Sequence, residues 1–539
     1  MRKFSSYGPI DSTLNYHVPR TELIDFACNQ LLGENFERGG HYITVWAPRQ
    51  RGKSWTMQQV LWRLMKDDRV DVLKINLEHL KFSEDVSHIL QVIANEITKP
   101  LQLPSVSVNQ LDDFYTIFEQ NYLKKPFILI LDEFDALHPD AISGMAGVFR
   151  NIYNQRKDSP LPSADKPYLL HGVALIGVRA VLGVENVTGS PFNVQRSVHI
   201  PNLTYEEVDS MFHWYERESG QTVNQDVIDR VFYETQGQPG LTSWLGELLT
   251  ETYNEQTDQP ISMKQFGAVY GRALKVLPNN NILNIISKTK QEPYKQLVLE
   301  LFKTNRKLKF RYDNPVINFL YMNGVVDFEQ TMDGIEEEYY TRFPCPFVQK
   351  RLFNYFADTI FEHTGRLHDP FDDLADTITD EVIIVPNLLK RYEIYLAKNR
   401  HWLLKNAPRR REDLRIYEAV YHFNFYMYLA QFFQEYPVRV NPEFPTGNGK
   451  IDLLIDYEGI RYGLEVKSFG NQRAYKKGLV QAANYGHSLG LSEIWLVLFI
   501  EAVDEVNQKR FEVGYTDPET GVKVHPQFVQ IGVDEQALS

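Results

Sequence analysis

The sequence predicts a multidomain α/β chain, and three observations carry that expectation. Buried strand-like runs alternate with helical stretches up to residue 203. A Gly-Lys-Ser loop follows the first of those runs. A second pattern of helix, hairpin, helix and strand stands near the opposite end of the chain. At 539 residues the chain also exceeds the size at which one hydrophobic core keeps growing, so about three or four domains are expected.

Each element follows from local pattern. TELIDFACNQLLGENF, from Thr21 to Phe36, has the spacing of an amphipathic helix. The apolar run YITVW comes next, then APRQRGKS from Ala47 to Ser54, then a helix beginning near Lys53. VDVLKINLE, FILILD, LLHGVALIGV and SVHIPNL are the further buried strands, the signature of a mostly parallel sheet. From Thr204 a run of helices, interrupted at GQPGL, reads as a helical lid. Beyond it, helix, helix, β-pair and helix read as a winged helix. The expected boundaries are 1–203 for the parallel-sheet core, 204–280 for the lid and 281–365 for the winged helix. Residues 366–400 are a linker and helical segment that includes the acidic HDPFDDLADT, and 401–539 are a C-terminal α/β domain.

Composition narrows the setting. The net charge of −13 argues against a generally basic, nucleic-acid-coating protein, so any such contact comes from local patches. Cys28 and Cys345 are too few and too far apart for a disulfide framework or a CxxC metal site. The N-terminus lacks an apolar core of the signal-peptide kind, and runs such as IWLVLFIEAV fall short of the roughly 20 residues a membrane helix needs. A cytoplasmic location without membrane contact is the expectation.

The loop APRQRGKS is a Walker A pattern, GxxxxGK[ST], with Ala47 where the first glycine is asked for. Pro48, Arg49, Gln50, Arg51 and Gly52 would line the phosphates, Lys53 would reach the β and γ oxygens, and Ser54 would hold Mg²⁺, with Trp55 next in the helix. Asp132 closes the strand FILILD as a second metal-ordering group, and Glu133 would polarise the attacking water.

With NYHVPR (Asn15 to Arg20), APRQRGKSW, SPFN (Ser190 to Asn193) and GQPGL, residues 10 to 275 resemble the AAA-like ATPases related to the STAND and archaeal-ATPase groups. The resemblance implies a P-loop ASCE/AAA-like sheet with ATP and Mg²⁺ as cofactors. It also implies that Tyr16 to Arg20 wraps the nucleotide, with Arg20 at the phosphates, and that the turn Gly237 to Pro239 closes over the adenosine. Arg179 falls where a sensor residue would sit and Arg196 where an arginine finger would sit. The departure at Ala47 is compatible with slow turnover or a nucleotide-held switch.

The C-terminal pattern places Asp452 on one strand and Glu465, Val466, Lys467 on the next. Two carboxylates at neighbouring strands can hold one or two Mg²⁺ ions, and a lysine beside them can steady an attacking water. Glu465 and Lys467 are two apart and project from one sheet face. Gln481 and Tyr485 share a face of the following helix. Residues 375 to 520 thereby resemble the PD-(D/E)XK nucleases, specifically their RecB-like members with a QxxxY motif. This implies a restriction-endonuclease-like domain using Mg²⁺, with Mn²⁺ as a substitute, and a further acidic ligand at Glu418. The segment Lys390 to Arg415, with Arg409, Arg410 and Arg411 and interleaved Tyr392, Tyr395 and Trp402, is the candidate DNA-contacting patch; its alternative is a solvated or ion-paired helical face.

The resulting expectation is an ATP-regulated, metal-dependent deoxyribonuclease, acting as a homo-oligomer with DNA and an accessory or trigger protein as partners. The resemblance places such chains in defence against foreign DNA or in mobile elements. The alternative is a STAND-like ATP switch whose nuclease-like domain only binds nucleic acid or a partner protein; a DNA-translocating motor is a further alternative.

Overall fold

The computed structural model describes residues 1–6, 8, 10–177, 195–302, 308–333, 336–369, 371–410, 415–443 and 451–532, with 195, 333, 336, 451 and 452 described by backbone alone. The chain divides into two compact units, Met1–Gly271 with Tyr312–Asn323, and Arg272–Arg311 with Gly324–Ser539. Residues 281–365 therefore do not group as one body, because the helix Pro315–Met322 falls with the first unit.

The first unit is built on β1 (Tyr42–Trp46), β2 (Asp71–Asn76), β3 (Phe127–Asp132), β4 (Leu170–Ile176) and β5 (Gln195–His199). They pair in parallel in the order β2-β3-β4-β1-β5. Helices cover both faces, which explains the near-continuous apolar character of the strands. Phe127, Leu129 and Leu131 of β3 pack with the helices Val86–Thr98 and Pro139–Asp158. Ile128 and Ile130 pack on the opposite face with Thr21–Leu32 and Lys53–Leu64. Period-two alternation thus feeds two cores from one strand. The first helix ends at Leu32 and not at Phe36, because Gly33 turns the chain at φ 80°. The lid helices are Tyr205–Ser219, Gln225–Thr235 and Pro239–Glu247, the first opened by a Thr204/Glu207 capping box.

The second unit contains the helices Asn280–Thr289 and Tyr294–Leu301, the hairpin β6 (Asp327–Asp333) and β7 (Glu336–Arg342), and the helix Pro346–Ile360. A mixed six-stranded sheet follows, in the order β12-β13-β11-β10-β9-β8. Its strands are β8 (Arg439–Glu443), β9 (Ile451–Tyr457), β10 (Ile460–Ser468), β11 (Glu493–Ile500), β12 (Tyr515–Thr516) and β13 (Lys523–Gln530). The meander β8-β9-β10 is antiparallel, whereas β10, β11 and β13 are parallel, with the helix Gln472–Ser488 crossing from β10 to β11. Gly478 on that helix lies against Leu496 and Lys467, so the helix covers the face that carries Glu465 and Lys467. Tyr392, Tyr421 and Phe425, from the helices Val385–Leu403 and Glu418–Phe432, meet Phe499 on the other face.

The helix expected over REDLRIYEAVYHFNFYMYLAQFF starts at Glu418, preceded by extended Tyr417; residues 411–414 lie outside the described set. The strands β8, β12 and β13 are additions to the expected pattern. Among the described residues, no helix is long and apolar enough to cross a membrane.

Ile130 lies fully buried at the centre of the parallel sheet. Ile130→Ala in the full chain is expected to lower the stability of the first unfolding transition by about 2–5 kcal/mol, read by urea denaturation.

Candidate functional site

Gly52 adopts the left-handed conformation (φ 87°, ψ 19°) that turns the loop into the helix Lys53–Leu64, and Gln50 is also left-handed at φ 57°. Ala47 is not among the left-handed residues, so a Cβ there brings no backbone strain. The departure from the glycine pattern therefore carries no cost from backbone conformation. The half-buried Lys53 donates from its ammonium to the carbonyls of Ala47 (2.7 Å) and Pro48 (3.1 Å), so the loop curls around its own lysine. Burial lowers the Lys53 pKa, while Glu133, Asp135 and Asp132 oppose that shift.

Asp132, at the carboxyl end of β3, is buried and fully engaged. Its Oδ1 accepts from Ser54 Oγ at 3.2 Å and from the Glu133 amide at 3.1 Å, and its Oδ2 faces Lys74 Nζ at 2.9 Å. Glu133 sits in the left-handed region at φ 56°, a conformation that costs a non-glycine residue about 1–3 kcal/mol and is common where a side chain must be aimed. Desolvation raises the Glu133 pKa, and the like charge of Asp135 adds to the shift. Hard oxygen donors at Ser54 and Asp132 fit Mg²⁺ in kind.

The helical segment expected to form a lid bonds to the loop directly. The Gly240 amide donates to the Gln50 carbonyl (3.1 Å), and Gln238 Nε2 donates to the Arg49 carbonyl (3.3 Å). Pro239 opens the helix between these contacts. Gly237 is left-handed, and a Cβ on it would meet the Leu203 carbonyl oxygen at 1.9 Å, so glycine is required at that turn. Arg20 donates to the Pro201 carbonyl (2.7 Å) and pairs with Glu207 (3.3 Å), tying the N-terminal segment to the start of the lid. His17 stands edge-on to Trp55 and tilted to Trp214, each with ring centroids 5.7 Å apart, beside the loop helix. Trp55 Nε1 is buried without an acceptor among the described residues. Arg51 is buried.

Two arginines stand elsewhere. Arg196 lies inside β5, opposite Ile43 near the amino end of β1, and donates to Gln30 Oε1 (2.9 Å). The phosphate loop leaves the carboxyl end of β1, so Arg196 is not brought to the loop of its own chain. Arg179 and SPFN lie outside the described residues.

At the C-terminal site the left-handed pair Glu458 (φ 46°) and Gly459 (φ 79°) makes a two-residue hairpin turn, pairing Tyr457 with Ile460. That register sets Asp452 directly opposite Glu465, and Glu443 opposite Asp452. Directly opposed residues share a sheet face, so three acidic positions form a row across β8, β9 and β10. Glu465 is buried. Its Oε1 pairs with Lys467 Nζ at 2.5 Å, while its Oε2 is buried with no hydrogen-bond partner among the described residues. Lys467 Nζ also donates to Gln481 Oε1 at 2.7 Å, which brings three of the expected site residues together. Tyr485 is buried in the core beneath the same helix. Glu418 opens its helix on the other face, with His422 Nε2 at 3.7 Å from its carboxylate. Glu443, not anticipated from sequence, pairs with the buried Lys350 at 2.9 Å. Among the described residues, no group of three or more His, Cys, Asp or Glu is placed to hold a metal ion; the Asp452 side chain is outside that set.

The basic segment reads differently in three dimensions. Tyr392 and Tyr395 are buried in the aromatic core and unavailable for stacking on bases. Arg391 pairs with Asp376 and Asp372, Lys398 with Asp369 and Arg415 with Glu501, while Arg411 lies outside the described residues. Three of the segment's nine Lys and Arg residues are thus matched by neighbouring acids.

Residues 23–256 match the family described as AAA-like domain, a span under half of the chain. No match was found among curated proteins. Among solved structures, the chain is similar to the Aeropyrum pernix ORC1 protein in complex with DNA, at 15% identity and a TM-score of 0.33, covering 64% of this chain and 95% of that one. It is similar to the Aeropyrum pernix ORC2 protein in its ADPNP–ADP complexes, at 13% identity and 0.37, covering 64% and 95%. It is also similar to a Walker-type ATPase of Pyrococcus abyssi, at 14% identity and 0.36, covering 65% and 98%. These TM-scores are low, and the presence of an AAA-like P-loop ATPase domain rests on the family match together with the geometry at Gly52, Lys53, Ser54 and Asp132.

The raised pKa of Glu133 fixes the sign of a pH effect. If its carboxylate is the base of ATP turnover, the acidic limb of the rate profile lies above the ordinary carboxylate range. Asp135→Asn, which removes the like charge, is expected to move that limb to lower pH, and Glu133→Gln to abolish turnover with nucleotide binding retained. Steady-state turnover between pH 4 and 8 measures both.

Proposed function

We propose that this chain is an ATP-binding and ATP-hydrolysing protein whose nucleotide state controls a metal-dependent nuclease acting on DNA through the C-terminal sheet. The observation that carries the nuclease reading is Lys467, held between Glu465 and Gln481 on the face where the hairpin register also sets Asp452. A lysine fixed beside a buried carboxylate with one unpartnered oxygen is what in-line attack on a phosphodiester calls for.

In the first unit, Gly52 and the amides at the start of the Lys53–Leu64 helix bind phosphate. Lys53 exchanges its two carbonyl partners for phosphate oxygens, Glu133 accepts the proton of the attacking water, and the lid contacts at Gln50 report whether the loop is filled. Ser54 and Asp132 would hold Mg²⁺, which when bound neutralises phosphate charge. In the second unit, Asp452 and Glu465 would hold Mg²⁺ or Mn²⁺, while Lys467 orients the water or stabilises the developing charge, and Gln481 fixes the lysine. Tyr485 packs the helix that carries Gln481, and Glu418 is a candidate outer ligand. Assembly into a homo-oligomer, an accessory or trigger protein, and a role in defence against foreign DNA belong to the same reading. Arg196, remote from its own loop, would serve a neighbouring copy.

A second reading has its own observation. Lys467 already neutralises Glu465, and no described cluster of three ligands is present. A switch whose C-terminal domain only binds nucleic acid or a protein would look the same.

Plasmid DNA incubated with the full chain and Mg²⁺ or Mn²⁺, with and without ATP, separates the two. Cleavage is expected in the wild type, to fall at least about 100-fold in Asp452→Ala/Lys467→Ala, and to lose its ATP response in Lys53→Ala. ATP binding with no cleavage under any of these conditions would favour the switch.

A further inference from the structure

Lys74 lies in β2, the half-buried edge strand of the parallel sheet, and none of the roles above uses it. On β2 it is paired with Ile130, and Asn76 with Asp132, so Lys74 and Asp132 lie diagonally on one face. Its ammonium stands 2.9 Å from Asp132 Oδ2 and 3.4 Å from the Ser54 carbonyl. The Asp132 side chain is 1% exposed and that of Lys74 15%, so the pair is largely removed from water. The other carboxylate oxygen takes Ser54 Oγ and the Glu133 amide. Both oxygens of Asp132 are therefore already engaged, Oδ1 by two neutral donors and Oδ2 by a resident positive charge that a divalent ion held there would have to meet.

Two consequences follow from electrostatics. A buried carboxylate without a counter-charge is costly, and Lys74 supplies that charge without a metal. A cation arriving at Asp132 must also displace or sit beside the ammonium, and at such separations like-charge repulsion is strong in a desolvated site. Lys53, Asp132, Glu133 and Asp135 interact in the same place, so removing one unit of positive charge alters the balance of the whole loop.

We propose that Lys74 is a built-in counter-cation of Asp132 that competes with Mg²⁺, so that the loop holds nucleotide with little dependence on the divalent ion. The inference rests on the reading that this loop binds nucleotide, and it concerns binding, not turnover.

The test uses the full chain and a fluorescent ATP analogue, titrated in EDTA and in excess Mg²⁺, for the wild type, Lys74→Met, Lys74→Gln and Lys74→Arg. The readout is the ratio of the dissociation constant in EDTA to that in Mg²⁺. A small ratio in the wild type and Lys74→Arg, rising about tenfold in either neutral variant, is the expected result. Equal ratios in the wild type and a folded neutral variant would overturn the proposal. Lys53→Ala separates the two layers of inference. If it binds the analogue as the wild type does, or if the wild type does not bind at all, the nucleotide reading itself fails, whatever Lys74 does.

Discussion

A buried carboxylate at the end of a fully buried strand needs partners, and the first unit is arranged around the partners of Asp132. Strand β3 is covered on both faces, so its last side chain has little access to water. The hydroxyl that answers Oδ1 comes from Ser54, in the first turn of the loop helix. This fixes the start of that helix relative to β3 although β4 lies between β1 and β3 in the sheet. The phosphate loop leads into that helix, and the lysine it encloses and the turn that bonds to Gln50 are attached to the same loop. A change that released Asp132 would therefore disturb more than the metal position.

In the second unit the comparable constraint is conformational. Glu458 and Gly459 both occupy the left-handed region, and their turn has the twist that a two-residue hairpin demands. A slip of one residue would send Glu465 and Lys467 to the face occupied by the aromatic helices, where Phe499 meets Tyr392, Tyr421 and Phe425. The apolar partners of β10 on that face, Leu464 and Val466, are buried, so the register is enforced from both sides.

Much of this was legible in the sequence because it depends on local spacing. The apolar runs marked all five parallel strands, and the two-residue interval between Glu465 and Lys467 announced a shared face. What was not legible depends on contacts between distant segments. Nothing near Lys74 points to Asp132, although a lysine between Leu73 and Ile75 in a strand of the sheet was a signal in itself. Glu443 could not be tied to Asp452 before the register of β8 was known. In the cationic segment, Tyr392 and Tyr395 follow the buried stripe of the helix Val385–Leu403 whereas Trp402 stays exposed, a division that composition alone does not reveal. Arg196 read as a residue preceding a strand, but β5 begins one position earlier and turns it toward Gln30.

The two sites set a lysine against a carboxylate in different ways, and the difference bears on what each lysine can do. Lys467 and Glu465 belong to one strand, two residues apart, and Gln481 holds the ammonium from a third position, so the lysine is directed by a neutral partner as well as by charge. On the nuclease reading proposed above, it would shift between Glu465 and a phosphodiester oxygen while staying close to Glu465 Oε1. Lys74 and Asp132 belong to neighbouring strands, and the lysine's other contact is a carbonyl at 3.4 Å, long for a hydrogen bond. Its hold on the site is therefore mostly Coulombic, and among the described residues it has no neutral partner as close as the one that Lys467 has in Gln481. The same pair of residue types is thus held by charge and a neutral amide in one sheet and mostly by charge in the other.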